Sequence, residues 1–224
     1  MSRALVALRI LLSRRVETWY ILPLTAAFSL VSGLLAGIVP NALQQRANFY
    51  LLGFSVIFGV LGFKDVFSLA MAVGITRRDY VIGSFLYQVQ QAIYATILMV
   101  GLMVLEKTTG GWFVGQQDFF VSLLTSGGWV KFAWLAPLAL LTCMALCTIV
   151  IAIWLWKGVT GAFISFFAVF IIFFFVGANT SASTIEVVVA HFNDVWLAAL
   201  LVVLTVLGLA ITYLVTRQIS VRDS

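Results

Sequence analysis

From Phe132 to Ala178 the chain carries one charged side chain, Lys157. Soluble domains place a charge at about every fourth residue, so a run of this kind belongs in lipid. A spanning helix needs roughly 20 apolar residues. The run therefore reads as two spans, Phe132–Trp156 and Gly158–Ala178, joined by a very tight turn at Lys157-Gly158. The rest of the chain follows suit: it is 63% hydrophobic, 9% charged, and has a mean hydropathy of +1.13. Charged residues cut it into six runs of spanning length.

The expected fold is an all-α integral membrane protein, one domain over residues 1–224 with six transmembrane helices. Residues 1–20, with Arg3, Arg9, Arg14 and Arg15 among leucines and valines and ending in Trp19-Tyr20, read as a helix lying on the membrane surface. Spans follow at Ile21–Val39, Ala47–Phe63, Tyr80–Leu105, Phe132–Trp156, Gly158–Ala178 and Trp196–Thr216. Residues 106–131 and 179–195 form polar segments on one side, and residues 64–79 form a turn on the other. Ser183 and Glu186 stand at capping-box spacing ahead of a short apolar stretch.

The 64–79 turn is the most patterned part of the chain. Asp65 can cap a helix start, Val66 to Val73 makes about two apolar turns, and Gly74 suits a left-handed helix end. Thr76 and Asp79 then give a second start signal, opening the third span. Phe67, Ala70 and Met71 fall on one face at i, i+3, i+4.

Two side-chain stripes suit more than one use. Tyr87, Gln91 and Tyr94, with Gln88 and Gln90 beside them, fit either a hydrated vestibule or hydrogen bonding between helices; their place near the helix start favours the second. The "FISFFAVFIIFFF" run, including Phe166, Phe170 and Phe173, fits either an aromatic cargo or contact with lipid and a neighbouring subunit.

Catalytic and metal-binding constellations are missing from the sequence. Cys143 and Cys147, at i and i+4 in one apolar run, read as packing residues. His191 is the sole histidine, and Glu186 and Asp194 are too few companions for a metal. No lysine follows a glycine-rich phosphate loop, and no charged residue falls near the centre of a span. No catalytic residue, cofactor or metal is assigned to this chain.

Basic residues set the orientation. Arg3, Arg9, Arg14, Arg15, Lys64, Arg77, Arg78, Lys157, Arg217 and Arg222 fall on one side, against Arg46, Lys107 and Lys131 on the other. That places both termini and the 64–79 turn in the cytoplasm. The net charge of +5 then reflects contact with anionic lipid, not with nucleic acid.

The unit "FSLAMAVGITRRDYVIGSF" resembles the cytoplasmic turn of permease (transmembrane) subunits of bacterial ABC transporters of the type-2 exporter group. Members commonly run there as an apolar short helix, then Gly-x-(Ser/Thr)-Arg-Arg-(Asp/Glu)-(Phe/Tyr), then a glycine opening the third span. Gly74, Thr76, Arg77, Arg78, Asp79, Tyr80 and Gly83 match. The segments "TTGGWFVG" and "WKGVTG" resemble small actinobacterial members.

What the resemblance implies is a half-transporter in the bacterial plasma membrane. Two permease subunits, a second and identical copy included, pair with two copies of an ABC ATP-binding subunit, which holds the ATP and Mg. The ATPase contact would be a coupling helix and its hinge: Asp65, Val66, Phe67, Ser68, Leu69, Ala70, Met71, Gly74, Thr76, Arg77, Arg78 and Asp79. Tyr87, Gln88, Gln91, Tyr94, Phe166, Phe170 and Phe173 are candidates for the translocation path. Cargoes in the group include drugs, peptides, lipids and glycans. The alternative is a non-transporting membrane sensor or assembly factor with a permease-like fold.

Overall fold

The computed structural model describes residues 3–13, 19–20, 23–24, 27, 60, 63–64, 66–109, 128–179 and 194–219. Every regular element among them is helical: α1 (Arg3–Leu12), α2 (residues 66–72), α3 (Arg77–Thr108), α4 (Gly128–Asn179) and α5 (Asp194–Thr216). Stretches within α3, α4 and α5, namely Arg77–Leu102, Ala133–Gly161 and Val195–Thr216, are long and apolar enough to cross a membrane. They coincide, within a few residues at each end, with the third, fourth and sixth runs read from the sequence. The first two spans, apart from a few residues, and most of both polar segments lie outside the described residues.

Local chemistry sets the ends of these helices. Thr109 closes α3, its N–H donating to the Leu105 carbonyl at 3.0 Å and its hydroxyl to the same oxygen at 2.8 Å. α4 is interrupted at Gly158, whose φ of 70° and ψ of −160° leave the helical region. A positive φ of this size costs little only at glycine, so the break falls at the Lys157-Gly158 step expected from the sequence. Phe166, Phe170 and Phe173 sit in the helical backbone beyond it, with side chains outside the described ones.

Small residues bring the helices together. In lipid the hydrophobic effect gives helices little reason to associate, so close backbone approach and interhelical hydrogen bonds carry more of the load. A methyl group built on Gly83 of α3 would stand 2.7 Å from the Ala7 Cβ and 2.9 Å from the Ala4 carbonyl of α1. One on Gly208 of α5 would stand 3.2 Å from the Ala145 Cβ of α4. The Thr142 and Thr205 hydroxyls lie 3.0 Å apart, and Thr142 also reaches the Leu201 carbonyl at 3.1 Å. Together these contacts align the first limb of α4 parallel to α5. α3 runs the other way between α1 and α4.

α1 covers Arg3–Leu12 of the 1–20 helix read from the sequence, and residues 14–18 lie outside the described residues. It buries Ala4, Ala7 and Leu11 and turns Leu5 and the Arg3 and Arg9 positions outward. Trp19 lies beyond it, its ring 5.8 Å from Tyr94. Tyr94 is fourteen residues along α3 from Tyr80, about 21 Å at 1.5 Å per residue. The aromatic pair thus stands well up the bundle and not beside α1. Cys143 and Cys147 differ from expectation too: both are exposed on the outer side of α4. Positions 142, 144, 145 and 148 face inward instead, so the i, i+4 cysteine stripe is the one α4 presents outward.

Candidate functional site at the polar end of the bundle

One cluster of buried residues lies at one end of the helices. It joins Ala7 and Leu11 of α1, Phe63, the α2 residues Val66, Phe67 and Ala70, then Ile75, Tyr80, Val81 and Tyr87, with Ala152 of α4 and Ile219 after α5. Three rings form its centre. Phe63 and Phe67 stack at 6.3 Å, and Tyr80 tilts against both at 5.1 and 5.4 Å. Tyr80 is 0% exposed, and its hydroxyl donates to the Phe63 carbonyl at 2.5 Å. A tyrosine buried this deeply needs such a partner for its polar tip.

Around this core the backbone turns as its residue types require. Gly74 has φ +83°. Its N–H donates to the Met71 carbonyl, and the Ile75 N–H to that of Ala70, each at 3.0 Å. That is the paired 5→2 and 6→1 closure of a helix ending in a left-handed residue, with Ile75 packed inward as its apolar contact. Thr76 follows in extended conformation (φ −72°, ψ 152°) and caps α3. Its hydroxyl oxygen accepts from the Asp79 N–H at 3.2 Å and donates to the Asp79 carboxylate at 2.7 Å. The carboxylate also stands near the positive end of the α3 dipole.

The residues expected to meet an ATPase divide by burial. Asp65 lies outside the described residues. Val66, Phe67 and Ala70 are held inside this chain's own core, with Phe67 only 1% exposed. Met71 is half-buried against them. Ser68, Leu69, Gly74, Thr76 and Arg78 are exposed, and Arg77 and Asp79 are half-buried. Two further residues join the exposed side, Ala72 and Val73. Leu69 and Val73, at i and i+4, are 54% and 62% exposed and form an apolar ridge at the polar end. Alternation of face was readable from the 3.6-residue period. Which face the core takes was not, because Phe63 and Tyr80 flank α2 from either side in sequence and decide it.

Lys64 precedes α2, and Arg77 and Arg78 follow it. Lys64 sits 3.5 Å above the Trp154 ring, Lys157 stands 4.2 Å from that of Trp156, and Arg217 lies 6.0 Å from Tyr213. Arg77 reaches across to the end of α5, donating to the carbonyl of Arg217 and, at 2.6 Å, to that of Ile219. The Lys64–Trp154 pair and the Arg77 contact join residues far apart in sequence, and no local pattern announces them, whereas Lys157 lies against its own neighbour Trp156.

The candidate path residues lie further up α3. Tyr87, Gln88 and Gln91 are buried, and Tyr94 is half-buried beside Trp19. The Gln88 amide donates to the Thr148 hydroxyl of α4 at 2.7 Å, and that hydroxyl donates to the Met144 carbonyl at 2.6 Å. With its one proton spent on Met144, Thr148 can only accept from Gln88, which fixes the amide's orientation. Among the described residues, the Gln88 Oε1 and the Thr212 hydroxyl are buried without hydrogen-bond partners. Among the described residues, no three His, Cys, Asp or Glu side chains gather to hold a metal ion.

Taken together, this end of the bundle offers an apolar ridge, Leu69 and Val73, on a short helix backed by the buried Phe67, with basic residues before and after it in sequence. An exposed apolar ridge of this kind is suited to contact with another protein. No family model, curated protein or solved structure matches the chain.

Proposed function

We propose that this chain is the membrane-embedded permease subunit of an ATP-driven ABC exporter, with ATP hydrolysis carried out by a separately made subunit. The observation that carries the reading is the α2 turn. A two-turn helix at the polar end is anchored by Phe67 and leaves Leu69 and Val73 facing outward, which suits a docking element better than a loop. Burying such side chains in a partner's groove contributes about 1.5–3 kcal/mol each. The basic residues about it, Lys64, Arg77, Arg78, Lys157 and Arg217, fit a cytoplasmic location for this end in a bacterial plasma membrane. The six-span count, the pairing with an identical second permease and a path lined by Tyr87, Gln88, Gln91, Tyr94, Phe166, Phe170 and Phe173 belong to the same proposal.

Co-purification with the ABC ATP-binding subunit made alongside it tests the reading. The expected complex has two permeases and two ATPases by native mass. Leu69→Asp and Val73→Asp should abolish it at matched membrane levels. Phe173→Ala in the second limb of α4 should leave it intact. A permease that stays free of any ATPase and is still active would favour the sensor or assembly reading.

A further inference from the structure

The two arginines of the Thr76–Asp79 motif do different things. A cation in the first turn of its own helix is badly placed, because that end of the helix dipole is already positive. Arg77 escapes this by sending its guanidinium to the turn that follows α5, next to the negative C-terminal end of that helix. It donates with both terminal nitrogens, to Arg217 and Ile219. Arg78, one residue on, is exposed. Ile219 is held from the other side as well: it is 2% exposed and packs in the same core as Leu11, Phe63 and Phe67.

We infer that Arg77 is a clasp fastening the end of the last span to the α2 turn, so that α1, α2, the first turns of α3 and the C-terminal turn at 217–219 move as one unit. A load applied at α2 then reaches α5 through Arg77 and not through Arg78. The close contact of Gly83 with Ala4 and Ala7 ties α1 to the same unit. The clasp needs no partner subunit, so it stands or falls separately from the permease reading.

The test is thiol accessibility of the full-length protein in lipid nanodiscs. Ile219→Cys, in a background with Cys143 and Cys147 replaced by serine, is labelled with a water-soluble maleimide. Arg77→Gln should raise the labelling rate about tenfold or more, since each lost charge-assisted hydrogen bond is individually strong. Arg78→Gln should leave the rate within about twofold, as exposed surface changes generally do. A Met99→Cys probe, fully buried further up α3, should stay unreactive in both. Should Arg77→Gln not accumulate, Arg77→Lys carries the test, because it keeps the charge and loses the two-pronged geometry; it should raise labelling part of the way. Unchanged Ile219→Cys labelling, an equal rise with Arg78→Gln, or a parallel rise at Met99→Cys overturns the inference.

Discussion

Gly83→Ala measures how tightly α1 is held to the bundle. The added methyl would arrive 2.7 Å from the Ala7 Cβ, 2.9 Å from the Ala4 carbonyl and 3.2 Å from the Leu8 amide. Carbon atoms settle at about 3.5–4.0 Å, so α1 must retreat by roughly 1 Å. None of the three atoms is the tip of a flexible chain, and the helix has to move as a body. Overpacking of this kind costs about 1–3 kcal/mol. Against that stands the better helix propensity of alanine, about 0.8–1.0 kcal/mol, leaving a net loss of roughly 0–2 kcal/mol. Gly101, on the same helix, is the control: a methyl there meets nothing within 4 Å. Gly101→Ala should therefore gain most of the propensity term, and the two variants should differ by about 1–3 kcal/mol. Unfolding of the purified protein in detergent gives the difference, and hydrogen exchange of the α1 amides shows whether α1 has loosened. Equal stabilisation by both variants, with α1 protection unchanged, would refute the packing of α1 on Gly83.

Phe67→Ala removes a core ring that touches Phe63 and Tyr80 and should destabilise by about 3–5 kcal/mol in the same assay; through the loss of α2 it should also weaken any ATPase association. Tyr80→Phe keeps the ring but leaves the buried Phe63 carbonyl without its donor, a loss of about 1–3 kcal/mol. Gly74→Val forces a β-branched residue to φ +83° and should cost at least about 1–2 kcal/mol, whereas Gly74→Asn should cost clearly less. Gln88→Leu gives up one interhelical hydrogen bond of about 0.6 kcal/mol, but it also removes a buried, unpartnered oxygen. Its unfolding midpoint should therefore stay close to that of the parent chain.

How much of this was readable beforehand depends on how far each partner lies along the chain. The Gly74 and Thr76 turns were legible because their partners, Ala70, Met71 and Asp79, stand within five residues. The ends of α3 and α5 and the break at Gly158 were legible for a similar reason, since charge and glycine placement mark them locally. The job of Arg77 was not, because its acceptors lie about 140 residues away. The same holds for Gly83, whose small size answers to Ala4 and Ala7 on another helix. Cys143 and Cys147 misled because free cysteine is usually buried; in a lipid-facing helix, outward apolar positions carry no penalty that would push it inside.

The parallel course of α4 and α5 constrains what joins them. Thr142 meets Thr205 and Ala145 lies against Gly208, so both helices travel toward the Lys64–Trp154 end. Gly158 is reached at that end, while Asp194 begins at the opposite one. The connecting chain therefore leaves α4 at one end of the bundle and enters α5 at the other. The polypeptide from Val159 to Asn179 is helical, and 21 residues at 1.5 Å each extend about 31 Å, matching the roughly 30 Å hydrocarbon layer. A map placing Gly158 and Asp194 on the same face of the membrane cannot coexist with the Thr142–Thr205 contact.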